Sequence, residues 1–141
     1  MIKKLDLGNI QEIDKIYPLV QQLRPKLTLN TFRDDIEKMK SEKYELWVYE
    51  IDEKYLGAIG LREYTDFVRG QHLYVDDLVV DAEMRSQKIG AKLLRFAEEE
   101  TRLRELPSLR LSCALENVRA ARFYEKQSWT KRSAVFVKGI A

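Results

Sequence analysis

The chain has 141 residues, 45% apolar and 34% charged, with a net charge of +2. That is material for one folded domain, residues 1–141, and it argues against disorder. No apolar run approaches the roughly 18 residues of a membrane span, the opening MIKKLDLGNI has no apolar leader core, and one cysteine, Cys113, excludes an internal disulfide or a thiolate zinc site. The expectation is a cytoplasmic protein with no membrane partner and no metal.

In chain order, residues 10–23 place Ile10, Ile13, Ile16, Tyr17, Val20 and Leu23 at helical spacing, with Pro18 inside. RPKLTLN reads as a loop, and a second helix is predicted from Thr31, with Phe32, Ile36 and Met39 inward. ELWVYEI (45–51) and YLGAIGLREY (55–64) read as strands of a hairpin, and QHLYVDDLVV (71–80) as a third strand. A helix follows over 89–106, stopped by Pro107; SLRLSCAL (108–115) reads as a strand parallel to its predecessor through that helical crossover. ENVRAARFYEKQ (116–127) reads as a short helix with Asn117 as N-cap, and WTKRSAVFVKGI as a closing strand. The order α-α-β-β-β-α-β-α-β predicts a mixed α/β fold around a central sheet.

Between the third strand and its helix lies a turn, Arg85, Ser86, Gln87, Lys88, Ile89, Gly90 and Ala91. Helix N-termini present unpaired N–H groups and partial positive charge, which together suit a phosphate if the backbone can approach closely. Arg85 and Lys88 add side-chain charge. The Walker pattern GxxxxGK[ST] is absent, and one glycine falls short of a dinucleotide fingerprint. A plain strand-to-helix connection reads equally well from these seven residues. Charge is uneven: nine Lys/Arg against three Glu leave +6 after Thr101, so the first hundred residues carry −4. A basic C-terminal part suits an anionic ligand or plain solvation.

With its neighbours, this segment resembles the acetyl-CoA-binding core of the GCN5-related N-acetyltransferase (GNAT) superfamily, whose phosphate turn reads Q/R-x-x-G-x-G/A. Here Asp76-Asp77-Leu78-Val79-Val80 is followed, after four residues, by Arg85-x-x-Lys88-x-Gly90. The family's later N-x-x-A-x-x-F-Y-x-x-x-G-F corresponds to Asn117 through Trp129, with Phe123-Tyr124 in place. Lys88 stands for the first motif glycine and Ser128-Trp129 for the closing Gly-Phe. The resemblance covers essentially the whole chain, and RPKLTLNTF resembles a segment of small bacterial members.

The resemblance implies an N-acetyltransferase acting by direct attack in a ternary complex, with acetyl-CoA as co-substrate and a small-molecule or peptide amine as acceptor. It implies that the backbone of Leu78, Val79 and Val80 pairs with the pantetheine arm, that Arg85 to Ala91 hold the pyrophosphate, and that Asn117 binds the arm. It makes Tyr124 the general acid that protonates the leaving thiolate. Asp76 is the chosen base, with Glu63 and His72 in reserve; Asp77 is expected to alternate to the other face and hold structure. Cys113 is expected to be a buried small hydrophobe. Arg24, Lys26, Tyr44, Trp47, Tyr64, Asp66 and Phe67 are expected around the acceptor.

Two other classes compete. A GNAT-fold module that binds CoA or acyl-CoA without turnover is suggested by Lys88. A nucleic-acid binder is suggested by the basic C-terminal part, but aromatic residues do not interleave with the basic ones and no helix-turn-helix or zinc motif appears. The expectation is therefore no nucleic-acid partner. The apolar closing strand would leave an edge suited to homodimer pairing.

Overall fold

Side-chain caps set the first helices of the computed structural model, which describes residues 1–141 apart from the side chain of Ser86. The Asn9 side chain accepts from Gln11 and Glu12 N–H to open α1 (Ile10–Gln21), and Thr28 accepts from Thr31 N–H to open α2 (Leu29–Ser41). Capping at Thr28 is why α2 starts two residues before the expected Thr31. Pro18 is accommodated inside α1. Ile13, Ile16 and Leu19 are buried, whereas Ile10 and Leu23, expected inward, are about half exposed at the helix ends.

The strands are β1 (Ile2–Lys4), β2 (Glu45–Ile51), β3 (Lys54–Asp66), β4 (Gly70–Val80) and β5 (Leu109–Leu111). They form one mixed sheet in the order β1-β2-β3-β4-β5, in which the pairs β1–β2, β2–β3 and β3–β4 are antiparallel. A 3-10 turn (Ala82–Gln87) and α3 (Ile89–Leu103) follow β4, and α4 (Val118–Lys126) follows β5. The fold is the expected mixed α/β arrangement with two additions that short-range pattern did not reveal. β1 is only three residues and polar in part, so its ladder with β2, from Ile2↔Tyr49 to Lys4↔Trp47, defines it. The 3-10 turn likewise carries no hydrophobic period.

Three helices end in the same device. In α2, α3 and α4 the N–H of Tyr44, Leu106 and Trp129 reaches back to the carbonyl of Met39, Thr101 and Tyr124. The residue before each donor takes a left-handed conformation: Lys43 (φ 61°), Glu105 (φ 56°) and Ser128 (φ 69°). This is the six-to-one closure that helices normally make with glycine. It stops α3 at Leu103, short of the expected Leu106, and leaves Leu103 exposed.

By packing, the chain divides into two compact units, residues 1–110 and 111–141. The core of the first joins Ile13, Ile16 and Leu19 of α1 and Phe32 and Ile36 of α2 to Leu46, Val48, Ala58 and Val79 of the sheet. Ile89, Leu93, Leu94 and Ala97 of α3 are buried as well. Gly57 allows α3 to seat: a Cβ there would lie 2.7 Å from Ile89 Cγ2. In the second unit α4 buries no residue completely. The closing strand is not formed; residues 130–141 have neither helix nor strand, and Val135, Phe136, Val137 and Ile140 are exposed. The alternating pattern is present, but a strand also needs a ladder partner, which pattern alone does not supply. β5 is likewise three residues where eight were expected. No helix is long and apolar enough to cross a membrane, and the described residues hold no metal-binding cluster.

Candidate active site

Three features of the first unit build a site at the end of β4. The first is the turn into α3. Asp81 caps the 3-10 turn through Glu83 N–H at 3.0 Å, and its own N–H is held by the Leu56 carbonyl at 2.9 Å. Gln22, at the end of α1, accepts from Ala82 N–H at 3.0 Å, so two elements fix the turn's entry. Lys88 then takes a left-handed conformation, φ 59° and ψ 26°, before α3 starts. As N-cap of α3, Lys88 supplies no side-chain acceptor, so the first N–H groups of the helix are left to another ligand. Arg85 and Lys88 are exposed beside them, and Gly90 is the second residue of the helix. This donor set fits a pyrophosphate. The side chain of Ser86, also expected in the turn, lies outside the described residues.

The second feature is the outer edge of β4. Three-residue β5 is too short to flank an eleven-residue strand. The chain entering β5 meets β4 near its start, where Leu73 N–H donates to the Ser108 carbonyl at 3.0 Å. Leu78, Val79 and Val80 lie at the opposite end of β4, and their ladder partners on β3 are Ile59, Ala58 and Gly57. An amide-bearing chain laid along the other side would complete that backbone as an added strand does.

The third feature is a pair of carboxylates around one tyrosine. The β3–β4 register steps from Gly60↔Asp77 to Leu61↔Val75, so Asp76 is the extra residue of a β-bulge. The bulge breaks the alternation expected of Asp76 and Asp77. Tyr44 donates to Asp77 Oδ2 at 2.7 Å, while Arg62 approaches Asp76 Oδ2 to 2.9 Å and stacks over the Tyr44 ring at 5.2 Å. Both acids thus border one ring, and Asp77 does hold structure as expected. The Arg62 Nε and Asp76 Oδ2 atoms are buried without hydrogen-bond alignment, so the contact is a charge pair rather than a bond. Burial pushes the Asp76 carboxyl up, against the pull of Arg62 and with added repulsion from Asp77. Burial, then Asp77, pushes the Tyr44 phenol well above its ordinary range.

Gly60 makes the Tyr44–Asp77 bond possible. Tyr44 precedes β2, Asp77 is on β4, and Gly60 lies on β3 between them. A Cβ at Gly60 would sit 1.8 Å from the Tyr44 hydroxyl. The tyrosine therefore crosses β3 through the space where every other residue carries a side chain. Arg62 and Gly60 were missed in the sequence; their signal, a charge and a glycine two residues apart on β3, gains meaning only from the bulged register.

Other expected residues divide. His72 is buried, its Nδ1 3.0 Å from the Gly70 carbonyl, and stacks on Tyr64 as a packing residue. Glu63 is engaged by Arg104 at 3.1 Å. Arg24 and Tyr44 line one cavity, but Trp47 packs against Phe96 at 4.7 Å and Asp66 is bonded to Arg69. Phe67 is fully exposed and Lys26 is exposed.

In the second unit, Asn117 caps α4 by accepting from Ala120 N–H at 3.0 Å, the structural role weighed for it. Tyr124 is half-buried between Phe123 and Trp129, with ring centroids 5.5 and 6.1 Å away. Burial raises its phenol above the ordinary value, and Cys113 adds to the rise, so the hydroxyl is neutral at physiological pH. Cys113 is partly exposed rather than buried, because the short β5 does not carry it into a sheet.

Residues 9–129 match the Acetyltransferase (GNAT) family. An uncharacterized N-acetyltransferase of Bacillus subtilis, YhdJ, is 30% identical across 99% of this chain and 100% of its own length. An aminoalkylphosphonate N-acetyltransferase of Salmonella typhimurium is 36% identical over 66 residues, 47% of this chain and 43% of that protein. Among solved structures, the aminoglycoside N-acetyltransferase AAC(6')-Iy in complex with CoA superposes with a TM-score of 0.84 at 13% identity, over 99% of this chain and 93% of that one. At that identity the superposition speaks for fold.

Proposed function

Because the chain belongs to the acetyltransferase (GNAT) family, we propose that it transfers the acetyl group of acetyl-CoA to a primary amine by direct attack in a ternary complex. The observation that carries the reading is the uncapped N-terminus of α3, opened by the left-handed Lys88 and flanked by Arg85 at the end of β4. In this reading the N–H groups from Lys88 to Ala91 and the Arg85 and Lys88 side chains bind the pyrophosphate of acetyl-CoA. The backbone of Leu78 to Val80 orients the pantetheine arm, with Asn117 adding an amide contact. Acetyl-CoA supplies an activated thioester carbonyl.

The incoming amine must lose a proton before its nitrogen can attack. Asp76, whose carboxyl is raised by burial, takes that proton directly or through one water. Tyr124, neutral because its phenol is raised, gives a proton to the departing sulfur. After attack the nitrogen sheds a second proton, which returns to the Tyr124 phenolate, so an ammonium and acetyl-CoA yield amide, free thiol and one proton that Asp76 passes to solvent. The family makes the protein an N-acetyltransferase; the donor, the acceptor and these residue roles are our reading.

The test follows thiol release from acetyl-CoA over a panel of primary amines. Amine-dependent release is expected, with Tyr124→Phe slower by about 100-fold, the low end for loss of a general acid, and acetyl-CoA affinity near normal. Unchanged turnover removes Tyr124 from the mechanism. Acetyl-CoA binding without release for any amine points instead to a CoA-binding module.

A further inference from the structure

Resting on the acetyl-transfer reading, we propose that the acceptor is a small apolar primary amine whose ammonium is bound by Asp77. The first unit encloses a cavity of about 160 Å³ between α1, α2 and the sheet. Its walls are largely side chains that cannot hydrogen-bond, among them Val20, Leu27, Phe32 and Met39. An apolar cavity of about 150 Å³ accommodates a benzene-sized molecule, which is the size of an amine with a short hydrocarbon body.

The charges choose the sign of the occupant. The ionisable side chains lining the cavity are Arg24, Asp35, Tyr44 and Asp77. Arg24 lies 4.0 Å from Asp35 and offsets its charge. Tyr44 is a neutral phenol, held so by burial and the adjacent carboxylates. Asp77 accepts the Tyr44 hydroxyl on Oδ2, and the salt bridges of the described residues include none to Asp77. Arg62, stacked over the Tyr44 ring, is drawn to Asp76 instead. One carboxylate in an apolar enclosure therefore lacks a cation, and an ammonium supplies both the charge and three donors.

Position ties the cavity to the reaction. Val79 lines it and stands in the middle of the backbone stretch assigned to the pantetheine arm. Asp77 is the neighbour of Asp76, so an amine bound by Asp77 stands beside the base. Asp77 acts here as a specificity residue that selects and orients the acceptor. The Gly60 gap and the Tyr44 bond fix the carboxylate in place.

The probes are isoamylamine, apolar and of fitting size, and ethanolamine as a polar control, tested in two ways. Ligand-observed NMR measures binding to the protein without acetyl-CoA, and steady-state acetylation gives kcat/KM. Isoamylamine should bind and be acetylated at least about 10-fold better than ethanolamine, since a few buried methylenes separate them. Asp77→Asn keeps an oxygen for Tyr44, and should raise the isoamylamine KM by about 10- to 100-fold with little change in kcat, the size expected for one charge-assisted hydrogen bond. Leu23→Trp, a change at the half-exposed rim of the cavity, should weaken isoamylamine while leaving acetyl-CoA affinity by calorimetry unchanged. Equal preference for ethanolamine, or isoamylamine binding that survives Asp77→Asn, overturns the assignment even if acetyl transfer to another amine proceeds. Failure of acetyl-CoA to bind defeats the underlying reading instead, and the NMR result still decides the amine site.

Discussion

Lys88 and Ser128 stand where the family pattern has glycine, and both carry positive φ, 59° and 69°. The left-handed backbone persists although the residue that makes it inexpensive has been replaced. A residue with a Cβ is strained there by roughly 1–2 kcal/mol, and glycine recovers part of that while making the unfolded chain more flexible. Lys88→Gly and Ser128→Gly should each raise stability by about 0.5–1 kcal/mol, read from the urea midpoint. A loss of stability at Lys88 would mean that its side chain makes contacts worth more than the strain. The same backbone accounts for the departures from the pattern: the turn needs a conformation, and Lys88 supplies it together with a charge.

At the scale of elements, one arginine ties the end of α3 to the sheet. Arg104 grips Glu45 of β2 through both oxygens at 2.8 and 2.9 Å, and also bonds Glu63 of β3 and Glu100 one turn back. Trp47 donates to the same Glu45. Burial opposes the Glu45 charge, but Arg104 outweighs it and holds the carboxyl below its ordinary value of 4.5. The folded pKa is thus below the unfolded one, so this stabilisation is complete above about pH 4.5 and is lost as pH falls through the folded value. Glu45→Gln should cost about 1–2 kcal/mol near pH 7, the pair being mostly buried yet still partly screened by solvent. The gap to wild type should close on acidification, measured by denaturant unfolding at pH 7 and pH 3; a gap unchanged at pH 3 would remove the charge from the explanation.

β2, β3, β4 and the two opening helices were legible in the sequence because each carries its own period and its own caps. The phosphate turn was legible because a basic, glycine-containing turn lay between a strand and a helix. The bulge at Asp76 was not, since one extra residue leaves no mark on an alternating sequence. With it went the meeting of Asp77 with Tyr44 beside Asp76, since strict alternation placed the two acids on opposite faces. The closing strand failed for the opposite reason: its pattern was clear, but pattern does not supply a partner.

For the whole molecule, charge and site agree in sign. The exposed Arg85 and Lys88 at the start of α3 suit an anionic co-substrate, while the cavity of the first unit presents Asp77, bonded by the neutral Tyr44 hydroxyl and by no cation among the salt bridges of the described residues. The two signs match the anionic donor and the ammonium-bearing acceptor of the proposed reaction. The most direct measurement is calorimetric titration with acetyl-CoA, with CoA and dephospho-CoA alongside. Binding with a dissociation constant of about micromolar magnitude, or −8 kcal/mol, is the predicted result. No binding at millimolar concentration would contradict the account, because the uncapped α3 turn would then hold no pyrophosphate.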